Sequence, residues 1–452
     1  MTNEHDLIVI GLGVGGEEVA GRTAEAGMDV LGIERKLVGG ECPYWGCIPS
    51  KIMVRAGNSL AEASRVLRLA GQARVSPSWA PVVARVREAT DDWDDQAAVD
   101  RFRSKGGTFL RGQARIIGPR EVEVDGERYR ARRGLVIATG GEPAAPPIEG
   151  LAEAGYWTNR EAIEAEELPA SLVVLGAGPI GLELAQTFRR FGTEVAVVEV
   201  ADRALPLEEP ENSAAVGEVL REEGIALHTG VGAQAVHRAD GKVTVELADG
   251  RRLDAEQLLV ATGRRLQLAS LGVDAAGLDA EARSIEVDEH LRAADGVWAV
   301  GDVTGHGAFT HLAVYQGRIT AADVLGRDHA PADYTALPRV TFTDPEVGSV
   351  GMTEAQAREA GLAVRTGVAA TSSSARGWIH GPGAEHGVAK LIADADRGVL
   401  VGGSVMGPAA GEVVGLLVLA VARQVPIAAL RQLIYPYPTF VRGLEDALRE
   451  LD

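Results

Sequence analysis

Two runs of consecutive apolar residues, one near the start of the chain and one in its middle, are typical of buried strands in a parallel sheet. The first run is LIVI at residues 7–10, and the second is LVVL at residues 172–175. Each run leads into a glycine-rich turn, a helix-like stretch and a further apolar strand that ends in a glutamate. The pattern predicts the same strand-turn-helix-strand unit twice in one α/β chain.

The glycines of both turns share the spacing G-x-G-x-x-G, and an acidic residue follows each set at the same distance. These residues are Gly11, Gly13, Gly16 and Glu34 in the first copy, and Gly176, Gly178, Gly181 and Glu199 in the second. The offset from first glycine to acid, 34 minus 11 and 199 minus 176, is 23 in both copies. Such glycines permit a tight turn close to a pyrophosphate, and the acid accepts a ribose hydroxyl. Two dinucleotide-binding units are therefore predicted, the alternative being structural turns without a ligand.

A later strand closes each unit with a turn of small residues. LVIATGG at 135–141 and LLVATGR at 258–264 make Thr139, Gly140 and Gly263 candidate cofactor contacts. A third segment, GVWAVGDVTG at 296–305, places Gly301 and Asp302 just after an apolar strand. The Asp302 carboxylate could face a ligand hydroxyl, or it could be an ordinary helix cap or turn residue.

Other parts of the pattern predict a helix over Asp94–Ser104 and strand pieces over Thr108–Arg130, with a hairpin turn at Asp125-Gly126. The apolar run at 413–422 is too short to span a bilayer and is followed by Arg423. The slightly longer run at 411–422 predicts a buried or interface helix.

Composition narrows the class of protein. The chain has 452 residues with 46% hydrophobic content, enough for about three domains. The net charge of -19 repels nucleic acid and anionic membranes, so neither is expected as a partner. The first apolar strand begins almost at the N-terminus and leaves no room for a signal peptide. We therefore expect a cytoplasmic protein.

The only two cysteines, Cys42 and Cys47, lie in GGECPYWGCIPSK soon after the first glycine turn, and Gly40 before them is a further candidate cofactor contact. Residues five apart on a regular helix rise ~7.5 Å along its axis. A disulfide tolerates at most about 7 Å between Cα atoms, so a redox pair here needs a broken first turn. At a helix entrance the backbone N–H groups stabilise a thiolate. The alternatives are two inert thiols or a zinc site, and no further nearby ligand supports zinc.

Together, the two glycine units, the C-x4-C segment ending in IPSK, the two ATG turns and the AVGD motif make the chain resemble the flavoprotein disulfide reductases that bind two dinucleotides. This family includes dihydrolipoamide dehydrogenase, glutathione reductase and mercuric reductase. The resemblance implies an α/β fold with two Rossmann-like dinucleotide-binding domains and a C-terminal α+β dimerisation domain. The expected boundaries are 1–150 with 265–335 for FAD, 151–264 for NAD(P), and 336–452 for the interface of a homodimer.

The resemblance also implies roles for individual residues. FAD would bind the first unit, with Glu34 on its adenosine ribose and Asp302 on its ribityl chain, and the nicotinamide cofactor would bind the second. Cys42 would meet the substrate, and Cys47 would lie against the flavin. Lys51 and Glu183 match an ion pair of the family near flavin and nicotinamide, although either could be an ordinary surface charge.

The sequence departs from the family at its C-terminus and in the cysteine segment. The histidine of the family's HPT segment is replaced by Tyr437, and the glutamate that holds it is replaced by Arg442. An unperturbed tyrosine, with a pKa of ~10, is a poor base. Mercuric reductase also has a tyrosine here, but it carries an additional cysteine pair that this sequence lacks. Glu41 replaces the family's usual threonine. His380 and His386 are candidates to approach Tyr437, or simple surface imidazoles.

Three functions stay open at this point. The first is a reductase of a small disulfide, or in reverse a dithiol oxidase, with Tyr437 as a weak acid or hydrogen-bond donor. The second passes electrons to a metal ion, a quinone or another acceptor, for which no general base is needed. The third is a redox-sensing flavoprotein with little turnover.

The residue at the end of the second unit predicts the nicotinamide cofactor. Glu199 offers its carboxylate to a free ribose 2′-hydroxyl and repels a 2′-phosphate, although the nearby Arg203 could soften that preference. We expect NADH to be preferred, with NADPH also accepted. Steady-state assays should give the larger kcat/KM for NADH, and a clearly larger value for NADPH would contradict the assignment.

Overall fold

The structure, a computed structural model, describes residues 3–451 and divides them into two compact units. The first unit comprises residues 3–49, 86–143 and 264–333, and the second comprises residues 50–85, 144–263 and 334–451. Two of the boundaries between units fall inside helices, namely Cys47–Leu69 and Ala80–Ala89.

The first unit is built on a mostly parallel sheet whose central strand is Asn3–Ile10. This strand pairs in parallel with Val30–Glu34 on one side and with Glu127–Ile137 on the other. Its residues 7–10 are buried because helices cover parallel sheets on both faces. The carboxyl ends of parallel strands meet at one edge, where ligands of such folds bind. The glycine turn, Glu34 and the residues after 137 therefore share that edge.

The remaining elements of the first unit complete this sheet and cover it. The other strands of the sheet are Thr108–Arg111, Ala114–Gly118, Glu121–Val124, Arg292–Ala294 and Val297–Ala299. Glu142–Pro143 and Arg264–Arg265 pair in a separate two-stranded sheet. Its helices and helical turns are Val14–Glu25, Glu41–Tyr44, Asp91–Trp93, Gln96–Ser104, Leu268–Leu271, Val273–Ala276, Gly301–Thr304 and Thr310–Val324.

The second unit repeats the strand-turn-helix-strand arrangement. Its four-stranded parallel sheet has the central strands Ser171–Leu175 and Glu194–Val198, with the helix Pro179–Arg190 between them in sequence. Even the first hydrogen bond of the turn is repeated. Gly11 N donates to Ile33 O at 2.8 Å, and Gly176 N donates to Val198 O at 2.8 Å.

Two antiparallel sheets complete the second unit, one of three strands and one of five. The outer strands of the parallel sheet are Ala226–His228 and Gln257–Val260. The three-stranded sheet contains Ala233–Ala239, Lys242–Leu247 and Arg252–Ala255. The five-stranded sheet contains Pro338–Thr341, Glu346–Gly351, Val364–Ala370, Val388–Asp394 and Val399–Gly407. The helices and helical turns are Leu151–Ala154, Asn159–Glu164, Pro210–Glu222, Glu354–Glu359, Thr371–Ser373, Ala375–His380, Ala410–Ala422, Ile427–Leu430, Val441–Gly443 and Leu444–Arg449.

The predicted fold class is confirmed, and several predicted elements are present. The helix expected over 94–104 begins two residues later, at Gln96, and the hairpin turn at Asp125-Gly126 joins Glu121–Val124 to the next strand. The apolar run at 411–422 forms a helix that packs against the five-stranded sheet. Within residues 3–451, no helix has both the length and the apolar character needed to cross a membrane.

The two compact units do not correspond to the three domains expected from the sequence. Residues 50–85, which those boundaries assign to the FAD-binding domain, belong to the second compact unit. The division into three domains therefore stays a prediction.

Several large apolar side chains of the C-terminal region face outward in this single chain. Trp378 is 80% exposed and Ile434 is 99% exposed. Exposed apolar side chains mark a protein–protein interface where they form one contiguous patch.

A deeply buried charge of the second unit is Lys390, whose side chain is only 4% exposed. Its Nζ lies 2.8 Å from Glu209, 2.9 Å from Glu211 and 2.8 Å from Glu354. Although burial opposes the charged form, these three carboxylates raise the pKa of Lys390 above its ordinary value. The ammonium group thus balances carboxylates from the segments around residues 210 and 354.

Replacing Lys390 by Met should destabilise the protein strongly, because it leaves buried carboxylates without their counter-charge. Loss of one partner of a buried ion pair costs about 3–5 kcal/mol, so the urea midpoint should fall markedly. The control is Lys242→Met, which removes an exposed lysine and should change stability by less than about 0.5 kcal/mol. Equal midpoints for the two variants would show that the cluster contributes little.

Candidate active site

The first glycine turn is shaped by two close backbone approaches. Gly11 has φ of +91°, and a Cβ there would lie 2.5 Å from Ala138 O. At Gly16 a Cβ would lie 2.0 Å from Gly11 O, which no side chain tolerates. Gly13 differs, because the nearest atom to its Cβ position is 3.9 Å away. Gly11 and Gly16 therefore hold the turn together, while Gly13 leaves open space over the helix N-terminus.

The second turn has the same division of roles. Gly176 has φ of +105°, and its Cβ would lie 2.4 Å from Ala261 O. A Cβ at Gly181 would lie 2.1 Å from Gly176 O, whereas at Gly178 no atom lies within 4 Å. In both turns the middle glycine opens a cradle that a Cβ would fill, and this fits the close approach of a pyrophosphate.

Each acid predicted to bind a ribose is tied to its own turn. Glu34 accepts hydrogen bonds from Leu12 N at 2.8 Å and Lys36 N at 2.7 Å. Glu199 accepts the matching bonds from Ala177 N at 2.7 Å and Ala201 N at 2.9 Å. A carboxylate has about four acceptor positions, so each acid retains capacity for the two hydroxyls of a ribose.

An open cleft lies at the carboxyl edge of the first sheet. Its walls include Gly11, Glu34, Thr139 and Gly140, all predicted cofactor contacts. The cleft is thus lined by the first turn, its acid and the ATG segment. These residues fit the adenosine end of a dinucleotide.

The other predicted glycines adopt backbone conformations that favour glycine. Gly40 has φ of +68°, and a Cβ there would lie 2.9 Å from Gly13 Cα, so it lets the cysteine segment pack on the first turn. Positive φ values also occur at Gly140, Gly263 and Gly301.

The two cysteines meet at a broken helix entrance, as the spacing requires. Cys42 lies on the short helix Glu41–Tyr44, and Cys47 is the first residue of the helix Cys47–Leu69. The hydrogen bond between the two thiols, together with burial, raises the pKa of Cys42 above its ordinary value. Both cysteines are free thiols in this structure, and Cys47 is exposed. The side chains are therefore in contact across the break at Gly46.

Thr310 completes this dithiol site and was not predicted from the sequence. Its Oγ1 lies 3.3 Å from the Sγ of Cys47, and its hydroxyl also lowers the pKa of Cys42. Thr310 is the first residue of the helix Thr310–Val324, and Phe309 is its N-cap. A separation of 263 residues gives no spacing signal for the contact.

A second residue that sequence reasoning missed, Arg264, connects three predicted parts of the site. Its guanidinium lies 3.3 Å from Asp302 and 3.6 Å from Glu41, and it donates to Gly141 O. Burial raises the pKa of Asp302, and the neighbouring Arg264 opposes that rise. Glu41, the residue that departs from the family, thus has a cationic partner. The Nε of Arg264 is the buried atom that faces Asp302.

The structure brings Lys51 and Glu183 together in the second unit. Lys51 Nζ lies 2.6 Å from Glu183 Oε2, and the Glu183 side chain is only 5% exposed. The other carboxylate oxygen of Glu183 accepts from Phe342 N at 2.9 Å, and the ammonium lies 4.7 Å from the Phe342 ring centre. The pair is therefore held from both sides rather than lying free on the surface.

Tyr437 is 71% exposed, and the guanidinium of Arg442 stacks on its ring at 5.3 Å. Arg442 also pairs with Glu445, so a cation occupies the position at which the family has a glutamate. Both candidate histidines have partners other than Tyr437. His380 packs its ring on Phe440 at 5.5 Å, and His386 pairs with Glu222 at 3.0 Å.

The fold and the site define a protein with two dinucleotide-binding turns and a dithiol. Residues 5–317 match the family model described as pyridine nucleotide-disulphide oxidoreductase, and residues 337–448 match the dimerisation domain of that family. The chain belongs to the pyridine nucleotide-disulphide oxidoreductase family. It is an FAD-dependent flavoprotein disulfide oxidoreductase with NAD(P)H as electron donor, and its dimerisation domain supports a homodimer.

Individual relatives are similar over nearly the whole chain. A mercuric reductase from Bacillus cereus is 35% identical over 457 residues, covering 99% of this chain and 72% of that relative. A dihydrolipoyl dehydrogenase from Thermus scotoductus is 35% identical over 462 residues, covering 99% of this chain and 97% of that relative. The solved Cu(II) complex of the HOCl-induced flavoprotein disulfide reductase RclA from Escherichia coli has a TM-score of 0.86 and 27% identity, covering 97% of this chain and 98% of that one.

Replacing Thr310 by Val should make the dithiol less acidic, because it removes the hydroxyl that lowers the pKa of Cys42. Hydrogen bonds to charged groups contribute about 1.5–3 kcal/mol, so the pH profile should move up by roughly one to two units. The measurement is the rate of iodoacetamide alkylation of the reduced enzyme against pH. Thr310→Ser keeps the hydroxyl and should retain the original profile. An unshifted profile for the valine variant would contradict the role of Thr310.

Proposed function

We propose that the enzyme exchanges electrons between NADH and a small thiol or disulfide through the Cys42–Cys47 pair. The observation that carries this proposal is the contact of the two thiols at a helix entrance, beside the Thr310 hydroxyl. When bound to the first glycine unit, FAD supplies two-electron transfer between the nicotinamide and the dithiol. The three predicted domains would provide the FAD site, the NAD(P) site and the dimer interface, respectively.

The two cysteines have different roles in this proposal. In the reductase direction the Cys42 thiolate attacks one sulfur of the substrate disulfide and forms a mixed disulfide, releasing the first substrate thiolate. Cys47 then attacks Cys42, releasing the second substrate thiolate and forming the Cys42–Cys47 disulfide. Cys47 is the first residue of a helix, and its backbone N–H donates to the Cys42 sulfur, which lowers the pKa of Cys42.

Charge around the second turn supports the preference for NADH. Glu199 is tied to the backbone of its turn, so its carboxylate is held where a 2′-phosphate would have to bind. Arg203, the residue expected to soften that preference, donates instead to Pro206 O at 3.0 Å and pairs with Asp202 at 3.4 Å. The arginine is thus engaged away from Glu199.

Three further assignments complete the proposal. Lys51 and Glu183 take the ion-pair role that the family resemblance implies, for which their 2.6 Å contact provides support. Tyr437 serves as hydrogen-bond donor to the substrate of a partner subunit. The working compartment is the cytoplasm, where reducing conditions make a close cysteine pair more plausibly catalytic than structural.

A metal ion is the second candidate acceptor, and the names of relatives favour it. Several relatives are mercuric reductases, and RclA has been solved as a Cu(II) complex. Two thiols in contact offer soft ligands of the kind that such ions prefer. A redox-sensing flavoprotein with little turnover is the third candidate.

Steady-state NADH oxidation with lipoamide, glutathione disulfide, Hg(II), Cu(II) and a quinone separates these functions. For the proposed function, one of the small disulfides should give the highest kcat/KM. The Cys42→Ser/Cys47→Ser variant should lose at least ~10³-fold of that activity, because no dithiol remains to reduce the substrate. Quinone reduction should persist in this variant and thus report a folded, flavin-loaded enzyme. Turnover with metal salts alone would favour the second candidate, and failure of every acceptor would favour the third.

Replacing Tyr437 by Phe tests its proton-donor role. If the hydroxyl donates a proton to the leaving thiolate, kcat for the disulfide should fall by about 10²-fold or more, with quinone reduction unchanged. Unchanged disulfide kinetics would make Tyr437 a packing residue. Tyr156→Phe removes a hydroxyl in the region assigned to the NAD(P) domain and serves as the control.

A further inference from the structure

A second cluster of metal-ligating side chains lies in the first unit, on residues that have no part in the dithiol chemistry. One nitrogen each from His290 and His329 and one carboxylate oxygen of Asp323 all lie within 4.8 Å of one another. The two imidazole rings are nearly perpendicular, at 84°, with centroids 5.1 Å apart. Sequence spacing gives no sign of this cluster, because His290 is 33 residues before Asp323, as 323 minus 290 shows.

The hydrogen bonds around Asp323 leave one of its oxygens with an available lone pair. Oδ2 accepts from Arg292 Nε at 2.8 Å and from Trp298 Nε1 at 2.7 Å, which uses both of its lone pairs. Oδ1 accepts only one of these strong bonds, from Arg292 Nη2 at 2.5 Å. The remaining lone pair of Oδ1 is on the oxygen that lies 3.5 Å from His329 Nε2.

The ring of His329 is fixed so that Nε2 is a candidate ligand. Its Nδ1 lies 2.9 Å from Ala330 O, and a carbonyl oxygen can only accept, so Nδ1 carries the hydrogen. In the neutral imidazole, Nε2 then has a lone pair. Two lone pairs 3.5 Å apart repel unless a cation lies between them. A proton would satisfy only this one pair.

The presence of His290 favours a metal ion over a proton as the cation between these side chains. Its Nδ1 is buried and has no hydrogen-bond partner within the described part of the chain. The backbone around it is held by Asp288, whose Oδ1 accepts from His290 N at 2.8 Å and Arg292 N at 2.9 Å. One nitrogen of His290 lies within 4.8 Å of the ligand atoms of Asp323 and His329, and only a metal ion uses all three ligands.

We propose that His290, Asp323 and His329 bind a divalent transition-metal ion of the borderline class, with zinc(II) as the best match. Two imidazoles and one carboxylate suit such ions, with water completing the coordination. Ligand atoms of tetrahedral zinc lie roughly 3.4 Å apart, so small side-chain rotations close the site. The contacts from Arg292, Trp298 and Ala330 O orient the ligands from outside. Bound there, the ion would fasten the end of the helix Thr310–Val324 to the loop before Arg292–Ala294.

Isothermal titration of zinc(II) into the FAD-loaded Cys42→Ser/Cys47→Ser enzyme tests the site without competition from the thiols. We expect one tight site per chain. His290→Ala or His329→Ala in the same background should weaken zinc binding at least ~10-fold to 100-fold. His386→Ala, which removes a histidine paired with Glu222 elsewhere, should leave the affinity unchanged. Equal affinities for all of these proteins, or the absence of a stoichiometric site in the parent, would overturn the proposal.

Electron paramagnetic resonance with Cu(II) gives a second readout that does not depend on how the alanine variants fold. One equivalent of Cu(II) added to the oxidised parent in the serine background should show superhyperfine coupling to two imidazole nitrogens. Coupling to fewer than two nitrogens would count against the proposed ligand set. Quinone reduction by each variant should equal that of the parent, since these residues lie outside the redox machinery.

Discussion

The constraint on which the site depends is the passage of the chain from Cys42 to Cys47. A continuous helix would carry the two sulfurs to different sides, so the short helix Glu41–Tyr44 must end before the long helix begins. Gly46 makes the passage possible, because a Cβ there would lie 3.0 Å from Glu41 O. Contact between the thiols, access to the exposed Cys47 and the start of a helix at its sulfur all follow from this break.

A second constraint, repeated in both units, is the close contact of backbone with backbone at the glycine turns. The first and third glycines of each set are required by distances of 2.0 to 2.5 Å to carbonyl oxygens. The middle glycine has no such neighbour and instead leaves room for a ligand. The same three residues thus combine stability and binding. The offset from the first glycine to the acid is 23 residues in both units, because both use the same backbone arrangement.

The sequence predicted the parts of the site that depend on local spacing. The glycine sets, the acids Glu34 and Glu199 and the broken helix entrance could all be inferred, since each lies within a few dozen residues of its partners. Lys51 and Glu183 could be paired only through the family resemblance. Thr310 and Arg264 were missed because their contacts depend on strand order rather than on spacing. The role of Glu41 was likewise hidden, since its partner Arg264 is 223 residues away, as 264 minus 41 shows.

The outward-facing side chains Trp378 and Ile434 have a consequence for handling the protein. Both residues lie in the region that matches the dimerisation domain, and association through that domain would make the stability of each chain depend on the protein concentration. Thermal midpoints measured at different protein concentrations are then not comparable. In dilute solution the separated chains would expose apolar surface. Protein lost by adsorption to vessel walls or by precipitation would then be mistaken for a loss of specific activity.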